Sequence, residues 1–187
     1  MEGVEMTESR WTNDGVFSSK SNEWETPQWL FDHMNSIYNF EVDVCASAHN
    51  AKCPVFFTEE DDALSDTWDK MLEDRGHKKA HAFWCNPPYG RDIYKWVRCC
   101  ALESEMMGRS KLVAMLLYAR TDTSWFHDYV MDCARDIYFI KRRLKFIRDD
   151  GKTGPSTAPS MVVIFDTKWD LRHTPAIHQV DRKEAGQ

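Results

Sequence analysis

Apolar positions along the chain fall into two rhythms. Some recur every three or four residues on one side of a helix, and others form short unbroken runs. WLFDHMNSIY has the helical rhythm, with Thr26 as the expected cap and Pro27 in the first turn, where the missing N–H costs nothing. FEVDVCA and AFWCN, the latter ending at Asn86, read as short buried strands. Ile93 to Met107 is helical, with Ile93, Trp96, Val97, Cys100 and Ala101 on one face, and Trp125 to Cys133 is a shorter helix. LVAMLLYA is apolar on both faces and predicts a central strand of a covered sheet. IYFI, RRLKFI and MVVIF follow as strands, the last two separated by the turn-rich DDGKTGPSTAP. Strands alternating with helices predict a three-layer, Rossmann-like α/β fold with a mostly parallel sheet ending in an antiparallel hairpin.

Residues 1–22 lack apolar periodicity and read as an N-terminal arm, and residues 167–187 as a C-terminal tail. That leaves residues 23–166 as one domain. The longest apolar run, Leu112 to Ala119, is too short to span a bilayer, and the acidic, polar start does not read as a signal peptide. A cytoplasmic location and no membrane partner are expected. Six cysteines without a regular framework then read as reduced thiols. Cys45, His49 and Cys53 lack a CxxC partner and an evident fourth ligand, so no metal is expected.

Net charge is −6, which taken as one number argues against a nucleic-acid partner. The distribution changes that picture. Residues 1–83 carry 17 acidic and 7 basic side chains, whereas residues 84–187 carry 13 acidic and 17 basic ones. Lys141, Arg142, Arg143, Lys145 and Arg148 place five basic side chains in eight positions, followed by Lys152 in the turn-rich loop. Together they have the composition of a phosphate-contacting surface. Arg120 and Asp122 follow the strongest strand and should emerge at the same sheet edge as Asn86. Arg120 is then a candidate backbone contact, and Asp122 a candidate for orienting it.

The string with the most chemical content is Asn86-Pro87-Pro88-Tyr89, just past a buried strand, where α/β sheets place their ligands. An exocyclic amine such as that of adenine is a poor nucleophile, because its lone pair is delocalised into the ring. A side-chain carbonyl from Asn86 and a main-chain carbonyl from Pro87 can each accept one amine hydrogen, which aims the nitrogen lone pair at an electrophile. The prolines stiffen the loop, and Tyr89 offers a face for a base turned out of its duplex. Positioning and charge alignment then carry the catalysis.

On these residues the chain resembles the amino-methylating DNA methyltransferases, and more closely the phage-type DNA N-6-adenine-methyltransferase (Dam) family. The resemblance rests on NEWETPQWLFD, DVCASAHNAKC, DDALSDTW, WCNPPYGR, ARTDTSWFHDYV, RRLKF and PSMVVIF, which together span about Asn22 to Asp166. It implies S-adenosylmethionine as cofactor and double-stranded DNA as partner. The implied cofactor site is Trp24, Thr26 and Pro27, then Asp43, Cys45 and Ala46 at a strand end, then Asp62, with Asn86 shared with the target site. It also implies transfer to N6 of a flipped adenine in a short site, GATC being the one the family suggests. The usual Gly-rich turn is absent: Ala46, Ser47 and Ala48 stand there. The residues alone leave open methylation of cytosine N4, RNA or protein glutamine, or a non-catalytic DNA-binding protein of the same fold.

Overall fold

A computed structural model describes residues 25–105, 111–147, 153–166 and 174–182. The N-terminal arm, Trp24, Arg148, Lys152 and much of the C-terminal tail lie outside the described residues.

Helix α1 (Gln28–Tyr38) buries Leu30, Phe31 and Met34. Thr26 does not cap it. The helix begins after Pro27, which occupies the cap position without a side-chain hydrogen bond, and Thr26 is buried instead. Asn39 ends the helix in the left-handed region at φ 53°, which asparagine tolerates better than most residues. Short strands β1 (Val42–Asp43) and β2 (Val55–Phe56) follow, then α2 (Trp68–Asp74), β3 (Ala82–Cys85), α3 (Ile93–Glu105) and β4 (Leu112–Tyr118). Phe126–Met131 forms a π-helix where the periodicity suggested an ordinary helical turn; such segments recur at functional sites. The chain closes with β5 (Ala134–Ile140), β6 (Lys145–Ile147), β7 (Thr153–Pro155), β8 (Ser160–Asp166) and β9 (Ala176–Val180).

The main sheet has the order β2-β1-β3-β4-β8-β5-β9. β8 runs antiparallel to both neighbours, while the other pairs are parallel. The antiparallel element is therefore β8 inserted between β4 and β5. RRLKFI does not pair with MVVIF. Its strand β6 pairs with β7 in a separate two-stranded ribbon. The sheet also extends beyond Asp166, because β9, inside the segment read as a tail, pairs with β5.

Alternating side chains divide the core between the two faces. Phe83, Cys85, Val113, Met115 and Leu117 pack under α2, α3 and the π-helix. Trp84, Ala114, Leu116, Val162 and Ile164 pack under α1, together with Leu144 and Phe146 from the base of the ribbon. Next to the amino end of β4, fully buried Lys111 is held by Glu103 at 2.6 Å and Asp69 at 3.5 Å, tying α2, α3 and β4 together. Such a charge is tolerable in the interior only because it is paired.

Candidate active site at the carboxyl ends of the strands

The chain leaves β1 for β2 on one side and returns to β3 on the other, which makes β1/β3 the topological switch point where such sheets take ligands. Asp43 ends β1, Asn86 follows β3, and Tyr118 ends β4. β5 runs in the same direction as β4, so Lys141 and the basic stretch leave the sheet at this end too. β8 is reversed and contributes its first residue, Ser160, to the same edge. The topology thus brings the proposed cofactor strings, NPPY, Arg120 and the basic segment to one end of one sheet.

At β1, Asp43 is only 3% exposed, and its carboxylate accepts hydrogen bonds from the backbone N–H of Cys45 (3.3 Å) and Lys52 (3.0 Å). These bonds close the loop that stands where a Gly-rich turn is usual. Burial outweighs both donors and pushes the carboxyl up from 3.8 to about 7. Ala46 is fixed through its N–H to the Phe57 carbonyl at 3.0 Å. Lys52 Nζ donates to Gln28 Oε1 at 3.1 Å, which brings the first turn of α1, and with it Thr26 and Pro27, beside the Asp43 loop. Further along, the acidic run divides its work. Asp61 accepts from Thr58 and pairs with Arg75, which holds its carboxyl well below the usual range. Asp62 is exposed at φ 46° and accepts from the Leu64 N–H.

Asn86 and Tyr89 meet directly. The Tyr89 hydroxyl lies 3.2 Å from Asn86 Oδ1 and 3.2 Å from the Leu116 carbonyl, and its single proton is shared between them. β3 stops at Cys85, paired with Met115, so Leu116 is the first residue of β4 past its parallel partner. Tyr89 folds back over that position. Burial raises its phenol well above the usual value, so it stays a protonated donor. Its ring stacks on Tyr118 with centroids 4.1 Å apart and planes at 16°, and Phe146 meets it edge-on at 6.4 Å. Pro87 is buried and Pro88 exposed.

Arg120 is exposed, with its guanidinium 6.0 Å from the Tyr118 ring centre, and Asp122 is exposed on the same loop. In the basic stretch Arg142, Arg143 and Lys145 are exposed, with Arg142 at φ 70° in the turn before β6. Lys141 is engaged elsewhere, in an ion pair with Asp181 at 2.8 Å just past β9. Tyr118, Phe146, Ser160 and Asp181 escaped the sequence reading. The first three lie on the α1 side of the sheet end: strand alternation combined with the β4/β8 register puts Tyr118 and Ser160 there, and the packing of the β6/β7 ribbon puts Phe146 there.

The profile of the DNA N-6-adenine-methyltransferase (Dam) family matches residues 15–187, nearly the whole chain. This chain belongs to the DNA N-6-adenine-methyltransferase (Dam) family. It is 29% identical over 161 residues to the DNA N-6-adenine-methyltransferase of Haemophilus phage HP1 (strain HP1c1), covering 84% of this chain and 86% of that one. It is 28% identical over 117 residues to the DNA N-6-adenine-methyltransferase of Escherichia phage T1, covering 62% of this chain and 43% of that one. Dam-family membership makes the chain an adenine-specific DNA methyltransferase, with a methyl donor and DNA as its substrates. The sheet described above is the Rossmann-like methyltransferase fold expected from the alternating pattern. Among the described residues no helix is long and apolar enough to cross a membrane.

Proposed function

We propose that this Dam-family chain binds S-adenosylmethionine at the end of β1 and methylates N6 of an adenine turned out of duplex DNA against Asn86 and Tyr89. The observation that carries this reading is the direct contact of Asn86 with Tyr89 beside the switch point. The β1 end suits the cofactor chemically. Asp43 keeps a raised carboxyl despite two N–H donors and the nearby Lys52 charge, so burial leaves it short of countercharge, and an ammonium or sulfonium would add it. Asp43, with Cys45 and Ala46, would hold the amino-acid part, Thr26 and Pro27 would border it, and exposed Asp62 would accept from an adenine amine. The bound cofactor supplies an electrophilic methyl group.

Asn86 Oδ1 and the Pro87 carbonyl accept the two hydrogens of the target amine and keep its lone pair directed outward. Tyr89, anchored at Leu116, offers a rigid aromatic face to the base. No strong base is required before transfer, because the methylated amine can release its proton afterwards. Arg120 and the exposed Arg142, Arg143 and Lys145 suit contacts to DNA phosphates, with Asp122 orienting Arg120, whereas Lys141 must first leave Asp181.

Incubation with labelled S-adenosylmethionine and duplex DNA, followed by digestion to nucleosides, should yield N6-methyladenine. Label in N4-methylcytosine, in RNA or in protein would refute the reading. Methylation-sensitive sequencing of the same DNA reports the site, for which GATC is our proposal. Neutralising Arg143 and Lys145 together should reduce the slope of log K against log salt by about one unit for each phosphate that is no longer neutralised. An unchanged slope would move the DNA surface elsewhere.

A further inference from the structure

Ser160 is the first residue of β8, stands directly across from Tyr118, and is 1% exposed. Its hydroxyl has no hydrogen-bond partner. Ser156 behaves differently: it is similarly buried, yet its hydroxyl donates to the Ala158 carbonyl at 2.6 Å and accepts from the Ala158 N–H at 3.3 Å. A buried hydroxyl left unpaired carries a desolvation penalty that an alanine would avoid. The neighbouring pair is closed by the Ala119 N–H to the Pro159 carbonyl at 2.8 Å. Tyr118 and Ser160 therefore form the intervening, non-hydrogen-bonded pair, in which side chains on one face of the sheet approach most closely. Tyr118, the residue opposite Ser160 across the strand pair, in turn stacks on the Tyr89 ring.

We propose that Ser160 is a specificity-determining residue whose hydroxyl donates to a ring nitrogen of the target adenine once the Tyr89–Tyr118 stack opens to admit the base. This rests on the reading of Asn86 and Tyr89 as the target site. Rings 4.1 Å apart leave no room for a base between them, so a base stacking on that face of Tyr89 displaces Tyr118. That displacement uncovers the hydroxyl. The adenine amine is flanked by two acceptor nitrogens, N1 and N7, and with Asn86 and Pro87 accepting from the amine, a donor is the complementary group for its neighbour. A site that commits a buried donor to a ring nitrogen rejects bases lacking it more strongly than an apolar wall would.

The test measures kcat/KM for methyl transfer to duplexes carrying adenine, 1-deazaadenine or 7-deazaadenine at the target position, with the wild-type chain and with Ser160→Ala. The penalty for one of the two analogues should be about tenfold smaller in Ser160→Ala than in wild type, the signature of one missing hydrogen bond. Equal penalties in both proteins, or unchanged activity of Ser160→Ala on adenine, would overturn the proposal. Ser160→Ala should also melt no lower than wild type, because the hydroxyl contributes nothing to the base-free fold, and a clearly lower Tm would assign it a structural role instead. Failure of the underlying reading is distinguishable, because wild type would then transfer no methyl group to the unmodified duplex.

Discussion

Replacing Asn86 by Ala should lower methyl transfer by roughly a hundred- to a thousandfold, the range typical of removing one aligned polar group from a charge-stabilising site. The side-chain oxygen is the partner that holds one amine hydrogen while the nitrogen changes geometry, so its loss acts on the transition state more than on ground-state binding. The surroundings should survive the change. Tyr89 keeps its hydrogen bond to the Leu116 carbonyl and its stack on Tyr118, and Asn86 lies past the end of β3, so the core strands are untouched. Single-turnover transfer, with calorimetry of S-adenosylmethionine binding alongside, separates the effects: the transfer rate should collapse, while cofactor affinity should fall far less, because the other cofactor-site residues remain. Asn86→Asp supplies the control, since a carboxylate also accepts an amine hydrogen and should recover much of the activity. Full activity in Asn86→Ala would refute the assigned mechanism.

The chain announces its chemistry more openly than its topology. NPPY is legible because four residues in sequence form the loop, and the apolar runs at 112–119 and 161–165 are legible because central strands are buried on both faces. The partner of each run is not written in the run. MVVIF could pair with any exposed strand edge, and nothing in its composition says that it enters between β4 and β5 in reverse. β9 was invisible for a related reason: at the sheet edge, along AIHQV, only Val180 is buried, so no apolar alternation marks it. Lys111 defeats a reading by polarity, because its burial depends on carboxylates from two other elements. The inner wall of the site was hidden in the same way. Tyr118 and Ser160 are 42 positions apart in sequence and become neighbours only through strand register.

Affinity for S-adenosylmethionine should rise as pH climbs from about 5.5 towards 7 and then level off, with Asp43 as the cause. In the cofactor-free protein burial raises this carboxyl from 3.8 to about 7. A cationic group bound beside it favours the charged form, so binding below pH 7 must expel a proton, and affinity can change by up to about tenfold per pH unit there. The same shift fixes the sign of the stability effect without cofactor. Between pH 4 and 7 Asp43 keeps a proton in the folded chain that it has lost in the unfolded chain, so its contribution to stability is greatest in acid and falls as pH rises through that window. The carboxyl accounts for about 4 kcal/mol of that decline at most. Asp43→Asn removes both dependences, and subtracting its profile from wild type cancels the contributions common to the two proteins. Thermal melts and calorimetric titrations between pH 5.5 and 7.5 supply the two profiles. If the substitution flattens the stability profile yet leaves the pH dependence of cofactor affinity intact, Asp43 serves only to close the Cys45–Lys52 loop, and the cofactor's positive charge lies elsewhere. Loss of both dependences, with weaker binding above pH 7, is the outcome expected of a carboxylate whose burial is only partly compensated until a cation arrives.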